Sequence, residues 1–342
     1  MPTLLSWVPF AVIVLISTAA LAQDSEATLI QRGQQALRAE QFAGAAEIFQ
    51  SAVQRFPASK PAYSGLLLSC LKSKRAADAI RVGKQAVERW PQDAEFAHYL
   101  GLAFMQSGDL RQAMPHLRRA TTLAPRDFDS HYDLALAFLE QNQYGPAAEQ
   151  LELAVRIDPS TPLAHILLGR ACQNSNRTLE AVEQFKIALR LDPNIPLGHY
   201  HLGFAHGSLG RNREAIAEYE TELRRGNRDA EVYYQLAHLQ LELGDLQAAV
   251  SNDRAALALK PRADAYYDLG KALALLGDTQ AAREALERSI SLNPNDPSPH
   301  YQLARVLTQL NQRPAAEQEM KRFAELTKAQ QRAGGMASGR LQ

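Results

Sequence analysis

Apolar residues along this chain recur three and four positions apart, the spacing of an α-helix that buries one face. One such stretch runs from Phe96 to Ser107, breaks at Gly108-Asp109 and resumes at Leu110. Glycine suits the residue just past a helix end and aspartate suits the cap of the next helix, so the break predicts a tight turn between two helices. Gly244-Asp245 and Gly277-Asp278 repeat the device.

The helical pattern is itself periodic. Prolines stand at Pro57, Pro91, Pro125, Pro159 and Pro193, each 34 residues after the last; the beat passes through Asn227, resumes at Pro261, and closes with Pro294. Twelve places before each stands an alanine: Ala45, Ala79, Ala113, Ala147, Ala181, Ala215, Ala249 and Ala282, with Ala316 extending the series. Twelve places earlier again lie Gly33, Leu67, Gly101, Ala135, Gly169, Gly203, Ala237, Gly270 and Ala304. Small residues let two helix backbones approach, and the proline stops the second helix. A helical hairpin of this length cannot bury its own apolar face, so neighbours must stack on it.

These spacings resemble the tetratricopeptide repeat family, on motifs such as Gly101-Leu102-Ala103-Phe104 and Ala181-Val182-Glu183-Gln184-Phe185 followed by Pro193. The resemblance covers residues 26–330 in nine units: 26–59, 60–93, 94–127, 128–161, 162–195, 196–229, 230–262, 263–296 and 297–330. It implies an all-α fold, a right-handed α-solenoid of nine helix-turn-helix units. The family's tryptophan place reads Leu29, Tyr63, Ala97, His131, His165, His199, Tyr233, Tyr266 and His300. The sixth unit departs from the pattern, with Glu222 in place of alanine and Asn227 in place of proline. That departure reads as tolerated drift or as a flexible joint near residues 222–229. Pro115, well inside a second helix, predicts a kink. Residues 331–342, with Gly334-Gly335, read as a disordered tail.

The amino terminus has a different character. Residues 1–22 hold an apolar run followed by Ala20-Leu21-Ala22 and carry no charged side chain. That is the pattern of a signal peptide cleaved before Gln23, although no Lys or Arg precedes Arg32. The expected location is a bacterial periplasm or the extracellular space. The alternative is a membrane anchor formed by residues 4–22, and contact with a membrane is expected only if that segment stays uncleaved.

Composition narrows the function classes. Lys+Arg and Asp+Glu are both 37, which argues against a basic nucleic-acid binder. No zinc, P-loop or dinucleotide-binding motif is present, so no catalytic residue, metal or cofactor is assigned and an enzyme is not expected. His131, His165 and His199 recur every 34 residues but lie in successive helices too far apart to share one ion, and read as substitutes for a packed aromatic. The pairs Asp129/Asp133 and Asp264/Asp268 read as solvated helix faces, with a cation or basic ligand as the alternative. Cys70 and Cys172 share one repeat place and read as buried free thiols.

In the family, first helices generally face the concave groove. By that resemblance the fifth place of each unit points into it, and four of the last units carry Tyr200, Tyr234, Tyr267 and Tyr301 there, with Tyr132 further forward. One turn on lie Phe204, His238, Lys271 and Arg305. The front of the groove is apolar, with Leu68, Leu102 and Leu136. Lys and Asn do not fall at the places used by the family's carboxylate-clamp members, which disfavours capture of an acidic C-terminal peptide. The expected partner is a protein or peptide held as an extended segment by a non-enzymatic scaffold. A polysaccharide, stacked on the tyrosines by an export accessory, is the alternative; a passive assembly part binding through its ends is the third.

Overall fold

The computed structural model describes residues 25–338, with side chains to residue 332; the predicted export segment, residues 1–22, lies outside them. Among the described residues are eighteen α-helices and no strand, grouped in two compact units, one ending at Arg126 and the other starting at Asp127.

The first unit contains three hairpins: α1 (Glu26–Arg38) with α2 (Phe42–Arg55), α3 (Lys60–Lys72) with α4 (Ala76–Arg89), and α5 (Ala94–Gln106) with α6 (Leu110–Leu123). The second unit continues with α7 (Phe128–Glu140), α8 (Tyr144–Ile157), α9 (Pro162–Asn174), α10 (Thr178–Leu191), α11 (Gly198–Ser208) and α12 (Asn212–Arg224). It ends with α13 (Ala230–Leu243), α14 (Leu246–Leu259), α15 (Ala263–Leu276), α16 (Thr279–Leu292), α17 (Pro297–Gln309) and α18 (Arg313–Ser338). In each unit every helix packs on the next, and first helices also meet first helices, α1 on α3, α3 on α5, α13 on α15 and α15 on α17. This is the stacked-hairpin solenoid of the sequence reading. α6 runs through Pro115 as one helix. α18 carries past Gln331, where the tail was expected to begin; Lys328, Ala329 and Gln330 are good helix formers that carry it on.

One backbone position makes every hairpin. One residue within two places of each first-helix end takes a positive φ in all nine repeats: Glu40, Lys74, Gly108, Asn142, Asn176, Gly210, Gly244, Gly277 and Asn311. The next amide then reaches back to a carbonyl in the helix, as Asp109 N does to Phe104 O at 2.9 Å and Asp245 N to Gln240 O at 2.8 Å. These are Schellman-type ends, which close the orphan carbonyls and turn the chain.

Packing between the two helices follows a size exchange. A Cβ at Gly33, Gly169 or Gly203 would overlap the ring of Phe49, Phe185 or Tyr219, and one at Gly101 or Gly270 would strike Leu117 or Leu286. Where the first helix carries Leu67, the second carries Gly83. Ala135 and Leu151 occupy the corresponding places in the fourth repeat and are both buried, and the series Ala45 to Ala282 is fully buried. Large meets small at each crossing, as close-packed interiors require.

Candidate functional site

The candidate residues sit on first helices of the second unit, and a row of side chains beside them fixes those helices. His131 Nδ1 lies 2.8 Å from Gln150 Oε1 and His165 Nδ1 2.7 Å from Gln184 Oε1. His199 Nδ1 lies 2.6 Å from Glu218 Oε2, and His300 Nδ1 2.5 Å from Glu319 Oε2. Each bond ties a first helix to the second helix of its own repeat. Imidazole therefore fills the aromatic place and adds a polar strut.

The adjacent tyrosines are held by different neighbours. Tyr132 stacks on Phe128, with ring centroids 5.5 Å apart. Tyr200 meets Tyr219 at 5.9 Å and Phe204 at 6.3 Å, and burial pushes its hydroxyl up to about 12. The Arg262 guanidinium lies 3.9 Å from the centre of the Tyr234 ring, close enough for cation–π attraction. Tyr267 is half-buried, with its hydroxyl pushed up by burial. Tyr301 is 40% exposed, 5.3 Å from Phe323 and 6.0 Å from the Arg305 guanidinium. The side chains of Tyr132, Tyr200, Tyr234 and Tyr267 are half-buried. The tyrosines do not stack on one another among the described residues. Ile166, the row's member between Tyr132 and Tyr200, is buried.

Charge is arranged around them. Arg262 Nη1 bonds Glu231 Oε2 at 2.5 Å, while its Nε and Nη2 bond the two Asp264 oxygens at 2.6 Å. Those bonds line up a cavity of about 420 Å³ bordered by Asp229, Glu231, Lys260, Arg262 and Asp264. His238 Nδ1 donates to Asp268 Oδ2 at 2.8 Å, which raises the imidazole above its ordinary value. Asp268 is only 4% exposed. The pair Asp264/Asp268 is thus a solvated face only in part: Asp264 is exposed and bonded by Arg262, whereas Asp268 is buried and bonded by His238. Lys271 and Arg305 border a second cavity, of about 100 Å³, between α15 and α17.

Three features of this region lie outside the candidates read from the sequence. Glu222, 4% exposed, accepts from Tyr200 N at 3.2 Å and from Asn227 Nδ2 at 2.8 Å. It caps α11, whose preceding residue, Leu197, has φ of 60° and offers no side-chain cap. Asn227, which stands in the proline place, donates its side-chain amide to the other Glu222 oxygen. Arg225 closes the same corner on Pro193 O and on Asn194 Oδ1. The second feature is Asp253, 0% exposed, with neither carboxylate oxygen hydrogen-bonded; burial holds its proton up to about 8. The third is Arg262 itself. Aligning the repeats exposes Asp253, since its place otherwise reads Phe49, Gly83, Leu117, Leu151, Phe185, Tyr219, Leu286 and Met320.

Elsewhere, Cys70 and Cys172 are buried free thiols, and burial pushes Cys172 up to about 11. Glu152, Cys172 and Glu180 come together, but Arg177 Nη2 already pairs both carboxylates, at 2.6 and 2.5 Å. A protonated thiol and two neutralised carboxylates make a poor metal site.

A tetratricopeptide repeat model matches residues 30–94, 100–162, 166–230, 200–263 and 234–297, and a second such model matches 273–333. A chain of the APC/C hetero-tetramer Cut9–Hcn1 is 18% identical at a TM-score of 0.50, over 84% of this chain and 57% of that one. This chain therefore spans less than two thirds of that relative, and the likeness is one of fold. MamA from Desulfovibrio magneticus RS-1 is 25% identical at a TM-score of 0.45, over 48% of this chain and 93% of its own. YrrB, a tetratricopeptide protein with an unusual peptide-binding site, is 22% identical at a TM-score of 0.47, over 54% of this chain and 95% of its own. No curated protein matches the chain.

Proposed function

Because the chain belongs to the tetratricopeptide repeat family, a scaffold for binding other proteins, we propose that its ligand face is the first-helix face of α11, α13, α15 and α17. The ligand is an extended peptide or a partner's element, held without catalysis. The observation that carries this reading is the row Tyr200, Tyr234, Tyr267 and Tyr301, followed one turn on by Phe204, His238, Lys271 and Arg305. Tyrosine offers an apolar edge and a hydroxyl at low entropic cost. Half-buried rings favour a peptide over a polysaccharide, because sugar stacking needs an open ring face and Tyr301 alone in this row is exposed. Ala20-Leu21-Ala22 after the apolar run supports export with cleavage before Gln23.

A crosslinking pull-down from the native envelope tests the assignment, comparing the wild type with Tyr234→Ala/Tyr267→Ala and Tyr234→Phe/Tyr267→Phe. The alanine pair is expected to weaken capture by more than about tenfold, about 1.4 kcal/mol or more, with helical circular dichroism unchanged. Undiminished capture by a folded alanine pair refutes the face.

A further inference from the structure

We propose that the cavity between α15 and α17 is a binding site for a doubly charged phosphoryl group carried by the ligand. The inference rests on the reading of the first-helix face as the ligand face. Lys271 and Arg305 occupy one helical place in successive first helices, so both cations border the same space, of about 100 Å³. Its other polar walls are Gln302 and Gln309, and no carboxylate lines it. The floor is apolar, from Ala274 and Val306.

The space gathers two cations and no countercharge. Elsewhere in the unit Arg177 meets Glu152 and Glu180, Arg262 meets Glu231 and Asp264, and Arg283 meets Glu287. Among the described residues, neither Lys271 nor Arg305 has an ion-pair partner. Arg305 Nη1 reaches only Gln302 Oε1, at 3.4 Å, and the guanidinium stands over Tyr301. Nearby Asp268 is engaged by His238 and does not answer Lys271. Two adjacent cations repel, and a dianion answers both where a monoanion leaves net positive charge. A phosphomonoester has −1.5 to −2 charge near pH 7 and three acceptor oxygens, whereas a carboxylate or sulfate ester has one charge. The donors match as well. The guanidinium fork takes two oxygens, the ammonium takes the third, and the glutamine amides supply the remaining bonds.

Titrating the full chain with phenyl phosphate, phenyl sulfate and benzoate, by calorimetry at low ionic strength, isolates charge because all three carry the same ring. Phenyl phosphate is expected to bind at least tenfold tighter than either monoanion. Lys271→Gln/Arg305→Gln should abolish the difference, and Arg305→Lys should keep most of it. Equal affinity for the three probes, or phosphate binding that survives the double glutamine variant with its circular dichroism intact, overturns the site. O-Phosphoserine and glycerol phosphate as further probes separate a phosphorylated side chain from a lipid or glycan phosphate. If phenyl phosphate fails while partner capture still depends on Tyr234 and Tyr267, the phosphoryl site falls and the ligand face stands. If phosphate binds through Lys271 and Arg305 while capture ignores the tyrosines, the ligand face falls and the site stands.

Discussion

From Leu29 to Ala103 the interior is one continuous apolar cluster that includes Phe49, Leu66, Leu67, Val82 and Phe96. From His206 to Asp268 the same repeat buries His206, Glu222, Gln240, Asp253 and Asp268. The apolar cluster around Tyr219 is small, with Ala215, Val232, Leu236 and Leu239, and a separate one begins at Leu241. A repeat array permits such a contrast because each hairpin leans only on its neighbours, so a weak repeat is carried by strong ones beside it. Tyr234 and His238 lie in this polar stretch, and Tyr200 N bonds its Glu222. Binding surfaces are commonly drawn from the less stable parts of a protein, and the interior behind the proposed ligand face is more polar than that of the first three repeats.

The sharpest way to break the contrast is on the apolar side. The Phe49 ring fills slots left by both Gly33 and Gly65. Phe49→Ala is expected to cost about 3–5 kcal/mol and to expose α1–α4 to hydrogen exchange while α13–α18 stay protected. Loss of protection along the whole chain would mean that the two regions do not behave independently.

The polar side should respond in the opposite direction. Asp253→Leu places in the seventh repeat the side chain that packs opposite Ala135 in the fourth, and Ala237 leaves the same room. It is expected to stabilise α13–α15 by a few kcal/mol near neutral pH. The pH dependence fixes the cause. Unfolded, Asp253 loses its proton near its ordinary value of 3.8; folded, burial and the nearby Asp268 and Asp264 hold it up to about 8, against Arg262. Stability from this group is full below about pH 4, falls as pH rises towards 8, and is flat beyond. His238, whose imidazole is raised by its bond to Asp268, keeps that partner in the variant. Asp253→Asn should flatten the melting temperature between pH 5 and 8; an unaltered slope would place the burden elsewhere.

A smaller effect is expected at the irregular corner. Glu222→Ala leaves Tyr200 N without its acceptor and Asn227 without a partner, for a loss of about 1–3 kcal/mol. Glu222→Ala/Asn227→Pro restores the residues that most other repeats carry at these two places and should recover part of that loss. If the pair is no better than the single change, the capped corner is not a substitute for the regular alanine and proline.

Most of the fold was legible because the repeat prints itself nine times: spacing gave the hairpins, and small residues gave the crossings. The positive-φ place was only partly read. Gly108, Gly244 and Gly277 announce it, whereas Asn142, Asn176 and Asn311 do so quietly, and Glu40 and Lys74 give no local signal at all. Tertiary closure of the hairpin imposes the conformation there. The tyrosine row was visible as a register, but its half-burial was not, since that depends on Tyr219, Arg262 and Phe323 arriving from second helices and loops. Asp264 and Asp268 read as alike from spacing; only the neighbours Arg262 and His238 separate them. Asp253 was missed because alanine and glycine places were aligned and the place of the large side chain was not.

The turns reverse the comparison, and they give the smallest prediction. The region with the better core has the worse turns: Glu40 and Lys74 hold φ of 57° and 58°, while later repeats use glycine or asparagine at that place. An L-residue in this conformation crowds its Cβ against the following carbonyl, at roughly 1–2 kcal/mol. Glycine avoids the clash but loses more chain entropy on folding, by about 0.5–1 kcal/mol. Lys74 is exposed, so its removal sacrifices no packing. Lys74→Gly should therefore stabilise the first unit by a margin of about 0.5–1 kcal/mol, and Glu40→Gly by a similar one. Gly277→Lys, the reverse exchange in the second unit, should destabilise by a comparable amount, because nothing lies near a Cβ there and only the backbone resists. Urea midpoints for the three variants should move in those opposite directions. If Lys74→Gly destabilises instead, the lysine is contributing to the hairpin through its side chain, and backbone strain does not explain why the two regions differ in their turns.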